Sequence, residues 1–138
     1  MHLGNWSGSG RLIGGLLMCL VMGARPHVAP ATHTVRLTGN EFVPRQTIAR
    51  AGDTLRFVNG NGGPHNVQFV TDSIAAAARR LLDRAMGDKI APLSGPLLLD
   101  PDETYIFVVP AIAPGRYPFF CLPHQAAMRG ALIVEPQR

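Results

Sequence analysis

The chain has 138 residues, 46 % of them hydrophobic, which suffices for one domain with its own core and is too short for two. Glycine (15) and proline (12) are both plentiful and punctuate short apolar runs, the texture of an all-β domain rather than a disordered one. The formal charge of +4 shrinks once Arg11 and Arg25 are set aside with a leader, and no Lys/Arg run with interleaved aromatics occurs, so a nucleic-acid role has no support.

Residues 1–31 read as a targeting segment. Arg11 precedes the apolar run LIGGLLMCLVMGA, which is short for a membrane span and right for the core of a signal peptide. Small-residue cleavage positions follow at Ala24 and Ala31; Ala29 and Ala31 together have the A-x-A spacing. An uncleaved N-terminal anchor is the alternative. Export places the rest of the chain, residues 32–138, in an oxidising compartment where cysteines pair. Only Cys121 remains there, so no intramolecular disulfide can form, and a lone thiol must be buried, reactive or a metal ligand.

From Thr32 onward the chain reads as seven or eight short strands. HTVRLTG alternates Val35 and Leu37 with Thr34, Arg36 and Thr38, the period of a half-buried strand. QTIARAGDTLRFVNGNGG supplies two more strand pieces around an AGD turn, and HNVQFV places Val67 and Phe69 on one face. DSIAAAARRLLDRAMGD, residues 72–88, breaks the rhythm: it is alanine-rich, with Ile74, Ala78, Leu81 and Ala85 on one stripe, and is expected as an inserted helix. Asp72 or Ser73 suits its start, Gly87 its end, and Arg79 with Asp83 has the spacing of a helical ion pair. A loop with a short strand at Leu97–Leu99 follows, then ETYIFVVP, GRYPFFC and GALIVE complete the strands. The expected fold is an all-β Greek-key antiparallel β-sandwich with one inserted α-helix.

The stretch YPFFCLPHQAAMRG carries the chemistry. Cys121, His124 and Met128 fall within eight residues, and a second histidine, His65, stands upstream in GNGGPHNVQF. Singly, Met128 fits core filling, Cys121 fits a small buried hydrophobe and His65 fits a turn cap. Together, the sole thiol of residues 32–138, two of its three histidines and a methionine lie in loops at one end of the expected sandwich. Thiolate and thioether suit reduced copper, imidazole suits both oxidation states, and a trigonal His₂Cys set with a weak axial methionine is the blue-copper arrangement. His33 is the spare histidine, expected in solvent near the start of the domain.

On these residues the chain resembles the small bacterial blue-copper proteins of the plastocyanin, pseudoazurin and amicyanin group, the cupredoxins. AGDTLRFVN, GGPHNVQF and above all GRYPFFCLPHQAAMRGALIVE carry the resemblance, over most of residues 33–136. It implies one copper ion per chain held by His65, Cys121, His124 and Met128, with Asn66 bracing the ligand loop by a hydrogen bond. The chain departs from the family at the loop, where three residues separate His124 from Met128: plastocyanin-like loops usually have one more and amicyanin-like loops one fewer. Phe120 stands where the plant proteins often have tyrosine, and Pro118 interrupts a strand, so its nitrogen is expected at an edge or bulge. Pro123 lacks an N–H that could bond the Cys121 sulfur, which is expected to lower the potential.

The reading that follows is an exported one-electron carrier, not an enzyme. It is expected as a monomer that docks redox partners near His124 in the periplasm, through apolar surface formed by Pro64, Leu122 and Pro123. The alternative is a periplasmic copper-binding or chaperone protein, for which Met86 is the only further thioether after the leader. A copper enzyme would need further histidine clusters, and a copper-free interaction module would show degraded ligand positions.

Overall fold

The computed structural model describes residues 28–137 together with Met1 and Gly4. The expected leader over residues 1–31 thus lies largely outside the described residues. Among the described residues no helix is long and apolar enough to cross a membrane.

Eight strands form two four-stranded sheets. Strands β1 (Thr32–Thr38), β2 (Glu41–Val43), β4 (Thr54–Asn59) and β6 (Thr104–Val108) build the first sheet, in the order β2-β1-β4-β6. Strands β3 (Gln46–Ala49), β5 (Gln68–Phe69), β7 (Gly115–Phe120) and β8 (Arg129–Val134) build the second, in the order β3-β8-β7-β5. The strands alternate as the sequence leads one to expect: Val35 and Leu37 of β1 face inward, as do Leu55 and Phe57 of β4 and Tyr117 and Phe119 of β7. The sandwich is the expected one, but its sheets are mixed rather than wholly antiparallel. β1 runs parallel to β4, and β3 runs parallel to β8. Such pairings join segments far apart in the chain, and period-2 alternation carries no information about strand direction.

Between the inner faces the aromatics interlock. The Phe119 ring meets Phe42 edge-on at 4.8 Å, and also meets Phe57 and Phe69, both at 5.9 Å. Phe119 stands two residues before Cys121, so this cluster fixes the strand from which the cysteine emerges.

The inserted helix is present but shorter than the expected span 72–88. A single 3-10 turn occupies Thr71–Ser73, and α1 runs from Ala76 to Ala85. Neither Asp72 nor Ser73 caps it, because Ile74 is extended and buried, and Ala75 takes the cap position without a side-chain bond. The expected Arg79–Asp83 pair does not form. Asp83 instead pairs with Lys89 at 2.8 Å and accepts the Leu93 amide at 2.8 Å, tying the helix to the following loop. Of the strand expected at Leu97–Leu99 only an isolated bridge between Leu98 and His65 forms. Pro118 sits just beyond the two-residue β5; its carbonyl accepts the Val70 amide at 2.9 Å. A strand residue's nitrogen points to the same side as its carbonyl, so the missing donor falls where β5 has ended.

His33 is not the free, solvated side chain expected of it. Its Nε2 lies 2.9 Å from Asp53 Oδ2. Asp53 also accepts the amides of Ala31 and Arg50, each at 2.9 Å, and so joins the start of β1 to the turn before β4. Burial pushes the Asp53 carboxyl upward, but the Ala31, His33 and Arg50 hydrogen bonds outweigh it and hold it below the ordinary value. A lowered folded pKa contributes stability that is complete above the ordinary carboxylate range and is lost as pH falls through the folded value. Asp53→Asn is therefore expected to cost about 2 kcal/mol at neutral pH and to flatten the acid limb of stability between about pH 5 and 2. Urea melts at several pH values check this, and an unchanged acid limb would refute it.

Candidate metal centre

One end of the sandwich gathers the chemistry-bearing residues. His65 stands just after the turn that follows β4, and the turn is built by Asn59. The Asn59 side chain accepts the Gly62 amide at 3.1 Å and donates to the carbonyls of Gly63 (3.1 Å) and Leu98 (3.2 Å). Gly62 and Gly63 take φ of +74° and +90°, which suits glycine and lets the chain reverse before Pro64. His65 then exchanges both backbone hydrogen bonds with Leu98, at 3.0 and 2.8 Å. Its backbone is pinned on both sides.

The second segment leaves β7 at Cys121 and returns as β8 at Arg129. It is a closed turn: the Cys121 amide donates to the Met128 carbonyl at 3.1 Å, while the amides of Ala127 and Met128 donate to the His124 carbonyl at 3.0 and 2.9 Å. Asn66 joins the two segments. Its Oδ1 accepts the Leu122 amide at 2.7 Å and its Nδ2 donates to the buried Ser94 hydroxyl at 3.0 Å. The Leu122 bond ties the segment after His65 to the segment after Cys121. Asn66→Ala would leave the Leu122 N–H and the Ser94 hydroxyl without partners. It is expected to cost about 2 kcal/mol and lower the melting temperature of the metal-free protein by about 8 °C. Calorimetry tests this, and an unchanged melting point would refute it.

These constraints bring His65, Cys121 and His124 together. Their donor atoms all lie within 4.8 Å of one another. Cys121 Sγ is 3.8 Å from His65 Nδ1 and 3.5 Å from His124 Nδ1, and the imidazole centroids are 4.9 Å apart at 41°. Donors about 2 Å from a shared ion and about 120° apart stand roughly 3.5 Å from each other, so the sulfur–nitrogen spacings suit a trigonal site. Cys121, His65 and Met128 are buried, with Cys121 and Met128 belonging to the hydrophobic core, whereas His124 is half-buried and Leu122 and Pro123 beside it are exposed.

The electrostatics favour a metal over protons on the imidazole. Burial, with His124 adding to it, lowers the His65 pKa, so the ring is neutral and its nitrogen free to coordinate. Burial raises the Cys121 pKa, against the opposing amides of Asn66 and His124, so the metal-free thiol stays protonated at neutral pH. Metal binding must expel that proton, and affinity falls as pH falls.

A family profile described as copper-binding proteins of the plastocyanin/azurin family matches residues 31–135. The chain belongs to the plastocyanin/azurin family. Chloroplastic plastocyanin of Chlamydomonas reinhardtii is 37 % identical over 112 residues, covering 78 % of this chain and 70 % of that protein. Plastocyanin of Vicia faba is 43 % identical over 98 residues, covering 70 % and 90 %. Among solved structures, a mutant fern plastocyanin aligns with a TM-score of 0.59 at 25 % identity, over 75 % of this chain and all of that one. Amicyanin from Paracoccus versutus aligns at 0.51 and 26 % identity, over 80 % and 85 %. The two-sheet architecture and the copper cofactor expected of a cupredoxin are those of this plastocyanin/azurin-family chain, and its His-Cys-His cluster suits a single copper ion. Asn59 and Ser94 were not singled out in the sequence. Asn59 had a signal, since it opens the turn-forming run NGNGG, but Ser94 had none, because its partner Asn66 lies 28 residues away.

Proposed function

We propose that the protein is an exported one-electron carrier whose copper is held by His65, Cys121, His124 and Met128. When bound, the copper supplies a reversible Cu(I)/Cu(II) couple. The observation that carries this reading is the asymmetry of the cluster: Cys121 and His65 are buried, while His124 is half-buried and follows the exposed Leu122 and Pro123. A site pinned on two hydrogen-bonded segments changes little when the charge changes, and an apolar rim around one imidazole suits brief docking of a redox partner over a small interface. Burial of the thiol also argues against the copper-chaperone alternative, which needs an open, exchangeable site. The proposed unit is a monomer acting in the periplasm or another exported compartment. For the leader, cleavage after Ala24 would keep the hydrogen bonds from Ala31 to Asp53 and from Thr54 to Ala31.

The test is to add Cu(II) to the metal-free protein and record the visible spectrum. An intense blue thiolate-to-copper band, retained through dialysis against a mild chelator, is the expected result. A green solution would mean a stronger Met128 contact imposed by the three-residue spacing. No colour with a titratable thiol would overturn the reading. Pro123 offers a second check. Pro123→Ala restores a possible N–H donor toward the Cys121 sulfur, which would steady the thiolate and so favour the reduced metal. The potential is expected to rise by about 20–60 mV, the equivalent of one net hydrogen bond. An unchanged or lower potential in voltammetry would refute the assignment.

A further inference from the structure

The outward face of the second sheet carries a feature that the copper site does not use. Arg45, Arg116 and Arg129 line one hollow of about 200 Å³, together with Gln46 and Gly130. All three arginines are exposed. Arg45 pairs with Glu41, but among the described residues neither Arg116 nor Arg129 has a carboxylate within ion-pair distance. The whole chain carries only 13 Lys and Arg against 9 Asp and Glu, so this concentration reflects placement rather than an overall excess of positive charge.

Arg116 belongs to two depressions at once. It also lines a mostly apolar groove of about 340 Å³ between α1 and the Ala111–Tyr117 segment, walled by Ile74, Ala77, Leu81, Ile112 and Tyr117. On α1 the groove wall is made by Ala77, Ala78 and Leu81, so Arg116 is the cation at its edge. A free oxyanion could satisfy the guanidiniums but would leave the groove empty. A protein segment with carboxylates and an apolar side chain fills both.

We propose that the basic hollow at Arg45, Arg116 and Arg129, continued by the groove beneath α1, is a docking surface for an acidic segment of a partner protein. This deepens the carrier reading and rests on it for the need of a partner, but it concerns a face separate from His124. Guanidiniums recognise carboxylates by paired, charge-assisted hydrogen bonds, and unpaired like charges around one hollow gain most from such a ligand. The complementary charge also steers encounter, so binding weakens as salt rises.

The test is a titration of the ¹⁵N-labelled Cu(I)-loaded protein with a glutamate-rich peptide carrying one leucine, followed by amide shifts. Because it reads binding rather than electron transfer, its failure would leave the carrier reading standing. The expected result is shifts at Arg45, Gln46, Arg116, Arg129, Ala77 and Leu81, suppressed by salt and absent with a glutamine version of the peptide. Arg116→Glu combined with Arg129→Gln is expected to weaken binding by about tenfold or more, with an unchanged copper absorption band as the check on folding. Arg56→Glu, on the other sheet, is expected to leave the affinity within about twofold. The proposal is overturned if inorganic phosphate reproduces the same shifts with equal affinity, if the shifts centre on His124, if they are absent at low salt, or if Arg56→Glu weakens binding as much as the paired variant.

Discussion

Cys121→Ser is expected to abolish the intense visible absorption of the copper-loaded protein and to weaken copper binding by well over about 100-fold. Changes in residues that only brace a metal ligand typically cost about 10–100-fold, and under the proposed assignment a ligand itself would be lost. The thiol is the one soft anionic donor in the cluster, and on the proposed ligand set a blue band would arise from its sulfur. Cys121 is fully buried in the hydrophobic core, so serine would put a more polar group there and cost about 1–3 kcal/mol besides. Cys121→Ala separates the two effects. It removes the donor without burying a polar group, and should stay folded in the metal-free form while showing no blue band. A variant lacking the thiol that still turns intensely blue would refute the ligand assignment.

Gly130→Ala is expected to destabilise the protein by about 2–4 kcal/mol and to lower its melting temperature by roughly 10–15 °C. Gly130 lies in β8 opposite Phe119, and a Cβ built there would overlap the Phe119 ring edge and stand 2.9 Å from the Arg45 carbonyl oxygen. Neither neighbour can yield cheaply. Phe119 is held by Phe42, Phe57 and Phe69, and the Arg45 carbonyl accepts the Ala131 amide at 2.9 Å. The strain would pass along β7 to Cys121, two residues beyond Phe119, so the copper band of the variant should shift or broaden as well as melt early. Thermal melts of the metal-free protein combined with absorption spectra decide it. A melting point within a few degrees of the parent would mean that the close approach of β7 and β8 is softer than this packing implies.

The parts of the fold legible from the sequence are those written in local periodicity. β1, β4 and β7 alternate strictly enough that Val35, Leu37, Phe57 and Phe119 declare their inward direction. β2 escaped notice because three residues, Glu41–Val43, are too few to show a period. The helix was legible from its alanine-rich stripe, but its start was not, because Ile74 found more burial by extending into the core than a cap at Asp72 or Ser73 would return. Asp83 shows the same override. Helical spacing offered Arg79, while the fold brought Lys89 and the Leu93 amide within reach.

At the metal centre the division follows the covalent chain. Cys121, His124 and Met128 are close because they are neighbours in sequence, and their donor chemistry alone points to a soft metal such as copper. His65 lies 56 residues from Cys121, and nothing in its local stretch separates a ligand from a turn cap. Its place beside the thiol follows from the antiparallel pairing of β5 with β7, the bridge to Leu98 and the Asn66 bond to Leu122. Burial likewise belongs to the tertiary structure, which closes Cys121 and His65 in and leaves His124 at the rim. Donor identity and strand period are properties of consecutive residues, and the sequence by itself determined them. Proximity, desolvation and exposure arise only when distant segments pack, so the tertiary structure brought His65 beside His124 at the thiol and left His124 the more exposed of the two.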